Sequence, residues 1–380
     1  MSDTTSEDFN RQRLSSISEK TPHFVFSKQR VKKRFEEFKK AFPQAEVCYA
    51  IKANSEPEIL TVLNNSGSSF EVASMHELNY LKEIGVAPER IIYGSSVKPI
   101  EHIQYSHNFG ITRYAADSFP ELEKIASAAP GANVFVRMLA NDTGSIFRFS
   151  EKFGTPKENI IPLLKHAKDI GLVPYGVSFH VGSQASNPQA WAHALNELAP
   201  VLNELQDVHG ITLEVINIGG GFPCHYITTE ETSDVEEIAR YTLEAFSELP
   251  YQPKLLLEPG RALVADTGVL IASIIGRVER AENTWLFLDA GVYNGMFEAM
   301  AYQGSTRYPI TSMRESYDSG EVMYAIAGPT GDSPDVITRE ALLPRDLEVG
   351  DKLIIHKVGA YTLPAISPFN GFPKPDIYYL

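Results

Sequence analysis

EVINIGGGFP, residues 214–223, sets the reading of the whole chain: an apolar, β-branched run that ends in three consecutive glycines. Glycines at the end of a strand supply positive φ and leave backbone N–H groups open, which suits a bound phosphate. The spacing is not the G-x-G-x-x-G that opens a dinucleotide-binding helix. Outward from this segment, short apolar runs alternate with amphipathic stretches. Strands are predicted at VCYAIKA (47–53), SFEVAS (69–74), RIIYGS (90–95), ITRYAA (111–116), NVFVRML (133–139), PYGVSFHV (174–181), EVINIG (214–219) and KLLLEP (254–259). Helices are predicted at EPEILTVLNN (56–65), MHELNYLKEIG (75–85), ENIIPLLKHAKDIG (158–171) and DVEEIARYTLEAFSEL (234–249), where apolar residues recur at three- and four-residue spacing. Eight such units over roughly 215 residues suit a (β/α)8 barrel, and an open doubly wound sheet fits the same string.

Beyond about residue 265 the rhythm changes. GVLIASIIGRVE, NTWLFLDAG, EVMYAIAG, DKLIIHKVG and DIYYL are strand-like and broken by Gly, Pro and Asn, with no long helix between them. PHFVFS (22–27) is also strand-like and precedes the barrel. The expected organisation is an N-terminal segment, 1–27, lending a strand to a β domain formed by 266–380, with the barrel at 28–265. Residues 1–20 are polar and read as loose.

Composition narrows the partners. With 43% hydrophobic and 22% charged residues, the chain has the make-up of a globular protein. No run approaches the ~20 apolar residues of a membrane span, and MSDTTSEDFNRQRLSS lacks the apolar core of a secretory signal, so a cytoplasmic location is expected. Cys48 and Cys224 are too few for a disulfide framework and have no metal-ligand spacing. The 48 acids against 34 bases leave a net charge of −14, which disfavours nucleic acid and anionic membranes and points to a small molecule.

In a barrel, chemistry collects where strands end. The first predicted strand ends at Lys52; the second carries Glu71 and Ser74, with Glu77 opening its helix. Arg148 follows the fifth, and the sixth ends at His180 and Ser183. The seventh runs into Gly219, Gly220 and Gly221, and the eighth delivers Glu258, Gly260 and Arg261. Singly each has a bland reading: a solvated lysine tip, a core histidine, a tight turn, a Glu258–Arg261 or Glu71–Arg148 bridge. Together they describe a glycine loop and an arginine for phosphate, a lysine able to form a Schiff base, a carboxylate for a protonated pyridine nitrogen and an imidazole to stack on a ring. That set fits pyridoxal 5'-phosphate (PLP) better than NAD or a metal.

Ten motifs extend the pattern over nearly the whole chain: YAIKAN (49–54), FEVAS…E (70–77), RFSEKFG (148–154), VSFHVGS (177–183), NIGGGFP (217–223), LEPGR (257–261), DAGVYNGMF (289–297), AGPTGDSPD (327–335), VGAYT (358–362) and FNGF (369–372). In this order they resemble the fold-type III PLP-dependent decarboxylases, nearest to the ornithine decarboxylase branch. The resemblance implies an alanine racemase-like barrel followed by a C-terminal β-sandwich or barrel, and a cytoplasmic homodimer with shared active sites, which fits polyamine biosynthesis. It implies catalytic roles for Lys52 as the cofactor's Schiff-base lysine, His180 as its stacking partner, Glu258 at the pyridine nitrogen and Asp332 reaching across the dimer with Gly331. Ser183, Gly219, Gly220, Gly221, Gly260, Arg261 and Tyr361 are implied at the phosphate, and Glu71, Glu77 and Arg148 near the cofactor. Tyr302, Gln303 and Asp332 are implied at the substrate.

Two positions depart from the branch. Gly331 stands where a proton-donating cysteine is usual, so protonation of the substrate carbon must come from Lys52, water or another group, or occur on the cofactor to give a carbonyl product. Gln303 stands where an acid is usual, offering a substrate ammonium only a neutral amide. The expected activity is decarboxylation of a basic, ornithine- or lysine-like amino acid. A decarboxylative transaminase or oxidative variant and a non-catalytic regulatory binder are the alternatives.

Overall fold

The computed structural model describes residues 7–149, 151–227, 232–280, 283–301, 307–314 and 320–380. In chain order the first strands are β1 (His23–Phe26), β2 (Glu46–Ala50), β3 (Ser69–Val72), β4 (Ile91–Tyr93), β5 (Arg113–Ala116) and β6 (Asn133–Met138). There follow β7 (Ser145–Phe147), β8 (Val173–Phe179), β9 (Ser183–Ala185), β10 (Val215–Asn217) and β11 (Lys254–Leu257). The last are β12 (Gly268–Arg280), β13 (Asn283–Leu288), β14 (Ile310–Ser312), β15 (Glu321–Ala327), β16 (Val336–Pro344), β17 (Lys352–His356) and β18 (Asp376–Tyr379). The helices are α1 (Arg11–Ser15), α2 (Lys28–Ala41), α3 (Pro57–Asn65), α4 (Met75–Glu83), α5 (Ile100–Phe109), α6 (Phe119–Ala128), α7 (Ile160–Asp169), α8 (Ala190–Asp207) and α9 (Val235–Ser247).

Strands β2, β3, β4, β5, β6, β8, β10 and β11 close, all parallel, into a barrel. The pairing of Leu256 and Leu257 with Glu46 and Val47 returns the last strand to the first and excludes an open sheet. Each strand is walled by its neighbours' helices on one face and by barrel filling on the other, so β3, β5 and β10 are buried at every residue and read as unbroken apolar runs. Cys48, Ile92, Phe135, Val215 and Leu256, drawn from five strands, fill the interior, with Tyr175 packed against them. Gly176 makes room for this filling: a Cβ there would lie 2.5 Å from the Val215 carbonyl oxygen and 2.9 Å from the Phe135 ring. The helices begin and end as their sequences dictate. Pro57 opens α3, Ser74 caps α4 by accepting the Glu77 N–H at 3.1 Å, and Gly110 ends α5 in the left-handed conformation.

The described residues fall into two compact units. One holds the barrel, from 32–223 and 231–262; the other draws on 1–31, 224–230 and 263–380. In the second unit the sheet order is β14-β17-β12-β13-β15-β16, and β1 pairs antiparallel with β12 and parallel with β18. Its core includes Phe9, Leu14, Val25, Val269, Ile271 and Ile354. The fold is therefore the α/β barrel plus β domain expected from the sequence. Among the described residues, no helix is long and apolar enough to cross a membrane.

Candidate active site

Within the barrel unit Lys52 and Glu71, and His180 and Glu258, lie at the mouth formed by the strands' C-terminal ends, and Arg148 does not join them. Lys52 lies in a single 3-10 turn, Ile51–Ala53, rather than in the strand itself. Its ammonium is 2.9 Å from Glu71 Oε2, with the lysine half-exposed and Glu71 buried. Gly94, at the end of β4, leaves the space that carboxylate occupies: a Cβ there would lie 2.4 Å from Glu71 Oε1. The pairing of Lys52 with Glu71 replaces the Glu71–Arg148 bridge considered from sequence.

Glu258 follows β11 and accepts a hydrogen bond from Asn217 Nδ2 at 2.6 Å. Tyr93, Gly94, Arg137, His180, Asn217 and Glu258 line one cavity in the mouth. Glu258 and His180 keep a little accessible surface, but the barrel wall excludes bulk water from around them. That desolvation raises the Glu258 carboxyl to about 7, helped by the nearby Glu71 charge and opposed by Lys52, Asn217 and Arg137. The same desolvation, with Arg137 and Lys52 adding to it, holds the His180 imidazole well below its ordinary value, so the ring stays neutral. Its Nδ1 accepts the Gly182 N–H at 3.0 Å, which assigns the ring proton to Nε2.

Beside this carboxylate the chain builds an anion cradle. Gly219 and Gly221 have φ of +66° and +97°, and Cβ atoms there would meet the carbonyl oxygens of Phe179 at 2.2 Å and Gly182 at 2.5 Å. Gly220 has no positive φ, but its missing side chain is needed too, because a Cβ would lie 2.6 Å from the Glu258 carbonyl oxygen. The Gly219 N–H is taken by Asn217 Oδ1 at 2.9 Å, whereas the N–H groups of Gly220, Gly221 and Gly260 donate to no described residue. Ser183 Oγ accepts from Arg261 Nε at 3.4 Å, and the guanidinium lies over the Phe147 ring at 5.0 Å. Arg261 thus turns to Ser183 rather than bridging Glu258.

Three findings add to or correct the sequence reading. Arg137, near the end of β6, was not singled out; burial lowers its pKa while Glu258, Asp117 and Glu71 oppose that, so it is the arginine facing the acidic group. Arg148 is exposed and donates to the Thr143 carbonyl at 3.3 Å, because it follows β7, which pairs with β9 in a two-stranded sheet of its own. Glu77 turns back to accept the Ala73 N–H at 2.6 Å, a helix-capping arrangement, and burial raises its carboxyl to about 7. In the β-domain unit, Asp332 accepts a hydrogen bond from the Tyr293 hydroxyl. Tyr361 holds a left-handed backbone with φ of 55°. Gly331 is exposed with nothing within 4 Å of where its Cβ would be. Tyr302 and Gln303 lie outside the described residues.

An amine paired with a carboxylate, a second carboxylate held by an asparagine, a neutral imidazole and open backbone N–H groups beside an arginine define the mouth of a PLP-dependent enzyme. The open amides fit a phosphate, and the elevated Glu258 carboxyl fits a protonated pyridine nitrogen that would bring its pKa down. Residues 28–265 match the pyridoxal-dependent decarboxylase, pyridoxal binding domain family, and the chain belongs to that family. It is 33% identical to the lysine/ornithine decarboxylase of Selenomonas ruminantium, over 93% of this chain and 88% of that one. It is also 30% identical to antizyme inhibitor 2 of Xenopus laevis, over 96% of this chain and 82% of that one. The solved structure of SrLDC in complex with PLP and cadaverine superimposes with a TM-score of 0.89 at 32% identity, covering 99% of this chain and 94% of that one. The chain is a PLP-dependent amino-acid decarboxylase, and PLP is its cofactor.

Proposed function

We propose that this enzyme removes the carboxyl group of a lysine- or ornithine-like amino acid, giving the corresponding amine and CO2, as a cytoplasmic homodimer in which Gly331 and Asp332 complete the partner's site. The observation that carries the reading is the Lys52–Glu71 pair at 2.9 Å in the same barrel mouth as the Asn217-bound Glu258 and the open glycine amides. Bound PLP supplies the electron sink for the pair left on the substrate carbon when CO2 departs.

The residues divide the remaining work. Lys52 is the covalent attachment point, and Glu71 holds its proton at Nζ. Glu258, oriented by Asn217, keeps the pyridine nitrogen protonated and so keeps the sink deep. Neutral His180 offers a flat face without adding a competing cation. Ser183, Gly219, Gly220, Gly221, Gly260, Arg261 and Tyr361 hold the phosphate, with Arg261 the charged donor and the glycines the close-approach backbone. Asp332, with Tyr302 and Gln303, receives the substrate's distal nitrogen. With no side chain at Gly331, Lys52 Nζ is the proton-bearing group the chain offers to the product carbon.

A second reading is favoured by that same glycine: without a proton donor for the substrate carbon, the amino group would stay on bound PLP as pyridoxamine phosphate, and the substrate would leave as a carbonyl compound in place of the amine. The likeness to an antizyme inhibitor supports a third, a regulatory binder, which has no need of Lys52, Glu258 and the cradle together. The test is CO2 release from labelled lysine and ornithine by PLP-loaded protein. Release that disappears in Lys52→Ala, along with the protein-bound cofactor absorbance, supports the proposal. A Lys52→Ala protein that retains both removes Lys52 from its role, and no release from either substrate by wild type contradicts the decarboxylase reading.

A further inference from the structure

The loop between β4 and α5 buries a charge that the chemistry described above does not use. Lys98 has no exposed side-chain surface, and its ammonium donates to the carbonyl oxygens of Ser95 at 2.8 Å and Ala115 at 2.6 Å. Glu121 Oε1, on α6, lies 2.9 Å from the same nitrogen, and Glu121 Oε2 pairs in turn with Lys124 at 2.6 Å. Burial lowers the Lys98 pKa to about 8 and Glu121 opposes that, so the ammonium is charged at neutral pH. One nitrogen thus gathers the loop after β4, the end of β5 and α6.

Stability is a poor reason for this arrangement. Desolvating two charges costs about what their attraction returns, and apolar side chains of similar volume hold a core as well or better. What they cannot do is fix backbone carbonyls at one point, and here that point adjoins the site. Gly94 and Ala115 line the same cavity as His180 and Glu258. Gly94 lies directly against Glu71: its N–H donates to the Val72 carbonyl at 3.0 Å, and a Cβ on it would lie 2.4 Å from Glu71 Oε1. The next residue, Ser95, carries the carbonyl that Lys98 holds. Where Gly94 stands therefore decides where the Glu71 carboxylate stands, 2.9 Å from the Lys52 ammonium.

We propose that Lys98 is a positioning residue: by tying Ser95 and Ala115 to Glu121 from behind, it sets Gly94 against Glu71 and so holds Glu71 at Lys52. The inference rests on the reading of Lys52 as the cofactor's lysine and of Glu71 as the group that holds its proton.

The test is Lys98→Met combined with Glu121→Leu, made in the wild-type and Glu71→Gln backgrounds. Removing both partners orphans no buried charge, so the chain is expected to keep about wild-type stability in urea. In PLP-loaded protein, pH titration of the bound-cofactor absorbance follows the proton on Lys52 Nζ. A carboxylate moved away from that nitrogen favours its protonated form less, so the midpoint should fall by about half a pH unit or more. The two charges removed are opposite and adjacent, so their own field on Lys52 largely cancels. In the Glu71→Gln background, where no carboxylate remains to be placed, the same two substitutions should leave the midpoint unchanged. A midpoint that stays at the wild-type value, or falls equally in both backgrounds, overturns the inference and leaves the decarboxylase reading standing. If Glu71→Gln alone does not move the midpoint, Glu71 does not hold that proton, and the inference falls with that assignment. Should the first two substitutions prevent folding, Lys98→Gln with Glu121→Gln is read by the same criteria.

Discussion

Replacing Glu258 by Gln in the cofactor-free protein separates what this carboxylate costs the fold from what it does for the reaction. The amide keeps the shape and can still accept from Asn217 Nδ2, now 2.6 Å from the carboxylate, while removing the ionisation. Burial and the Glu71 charge raise the Glu258 pKa from 4.5 to about 7. A group with a raised folded-state pKa binds its proton more tightly in the native chain, so stability is whole below about pH 4.5 and is lost as pH rises through about 7. The displacement corresponds to about 3 kcal/mol, an upper figure because Glu258 titrates together with its charged neighbours. Urea unfolding of cofactor-free wild type and Glu258→Gln at pH 5 and pH 8 reads this directly. Glu77, also raised to about 7, is present in both proteins and cancels in the comparison. The variant should gain on wild type between the two pH values by about 2–3 kcal/mol, while losing turnover once loaded with PLP. A difference between the two proteins that does not change with pH, or near-normal turnover in the variant, refutes the electrostatic argument.

Three further outcomes follow from local geometry. Gly220→Ala should weaken cofactor binding by tenfold or more in an absorbance titration, since its Cβ would lie 2.6 Å from the Glu258 carbonyl oxygen beside amides the phosphate needs; unchanged affinity would remove Gly220 from the cradle. Gly331→Cys should fold with wild-type stability, because nothing lies within 4 Å of the new Cβ, and should shift any carbonyl product toward amine; an unchanged product ratio would show that the position does not govern protonation. Phe135→Ala should cost about 3–5 kcal/mol in chemical denaturation through a cavity in the barrel filling; a loss below about 1 kcal/mol would mean the interior closes over it.

The barrel was legible because its strands, largely buried on both faces, leave short apolar runs, and the helices that cover them leave three- and four-residue stripes. The phosphate cradle was legible for a different reason: three adjacent glycines have few other uses at a strand end. What escaped depends on contacts remote in sequence. The β7–β9 sheet is made of two three-residue strands whose pairing leaves no periodic trace, and it carries Arg148 away from the acidic residues. Arg137 had a signal, a charge inside the otherwise apolar NVFVRML, that was passed over in favour of a motif arginine. The space that Gly94 leaves for Glu71, two strands of the barrel meeting at one carboxylate, has no sequence signature at all. The Tyr293–Asp332 bond is of the same kind, joining the segments on either side of β14 and β15.

The most direct test of the central claim is mass spectrometry of the products after PLP-loaded protein reacts with lysine and with ornithine in deuterium oxide. An amine shorter by CO2 and carrying one carbon-bound deuterium is the predicted result, since the proton that replaces the carboxyl comes from exchangeable groups such as Lys52 Nζ. A carbonyl product, or no product from any of these substrates, contradicts it.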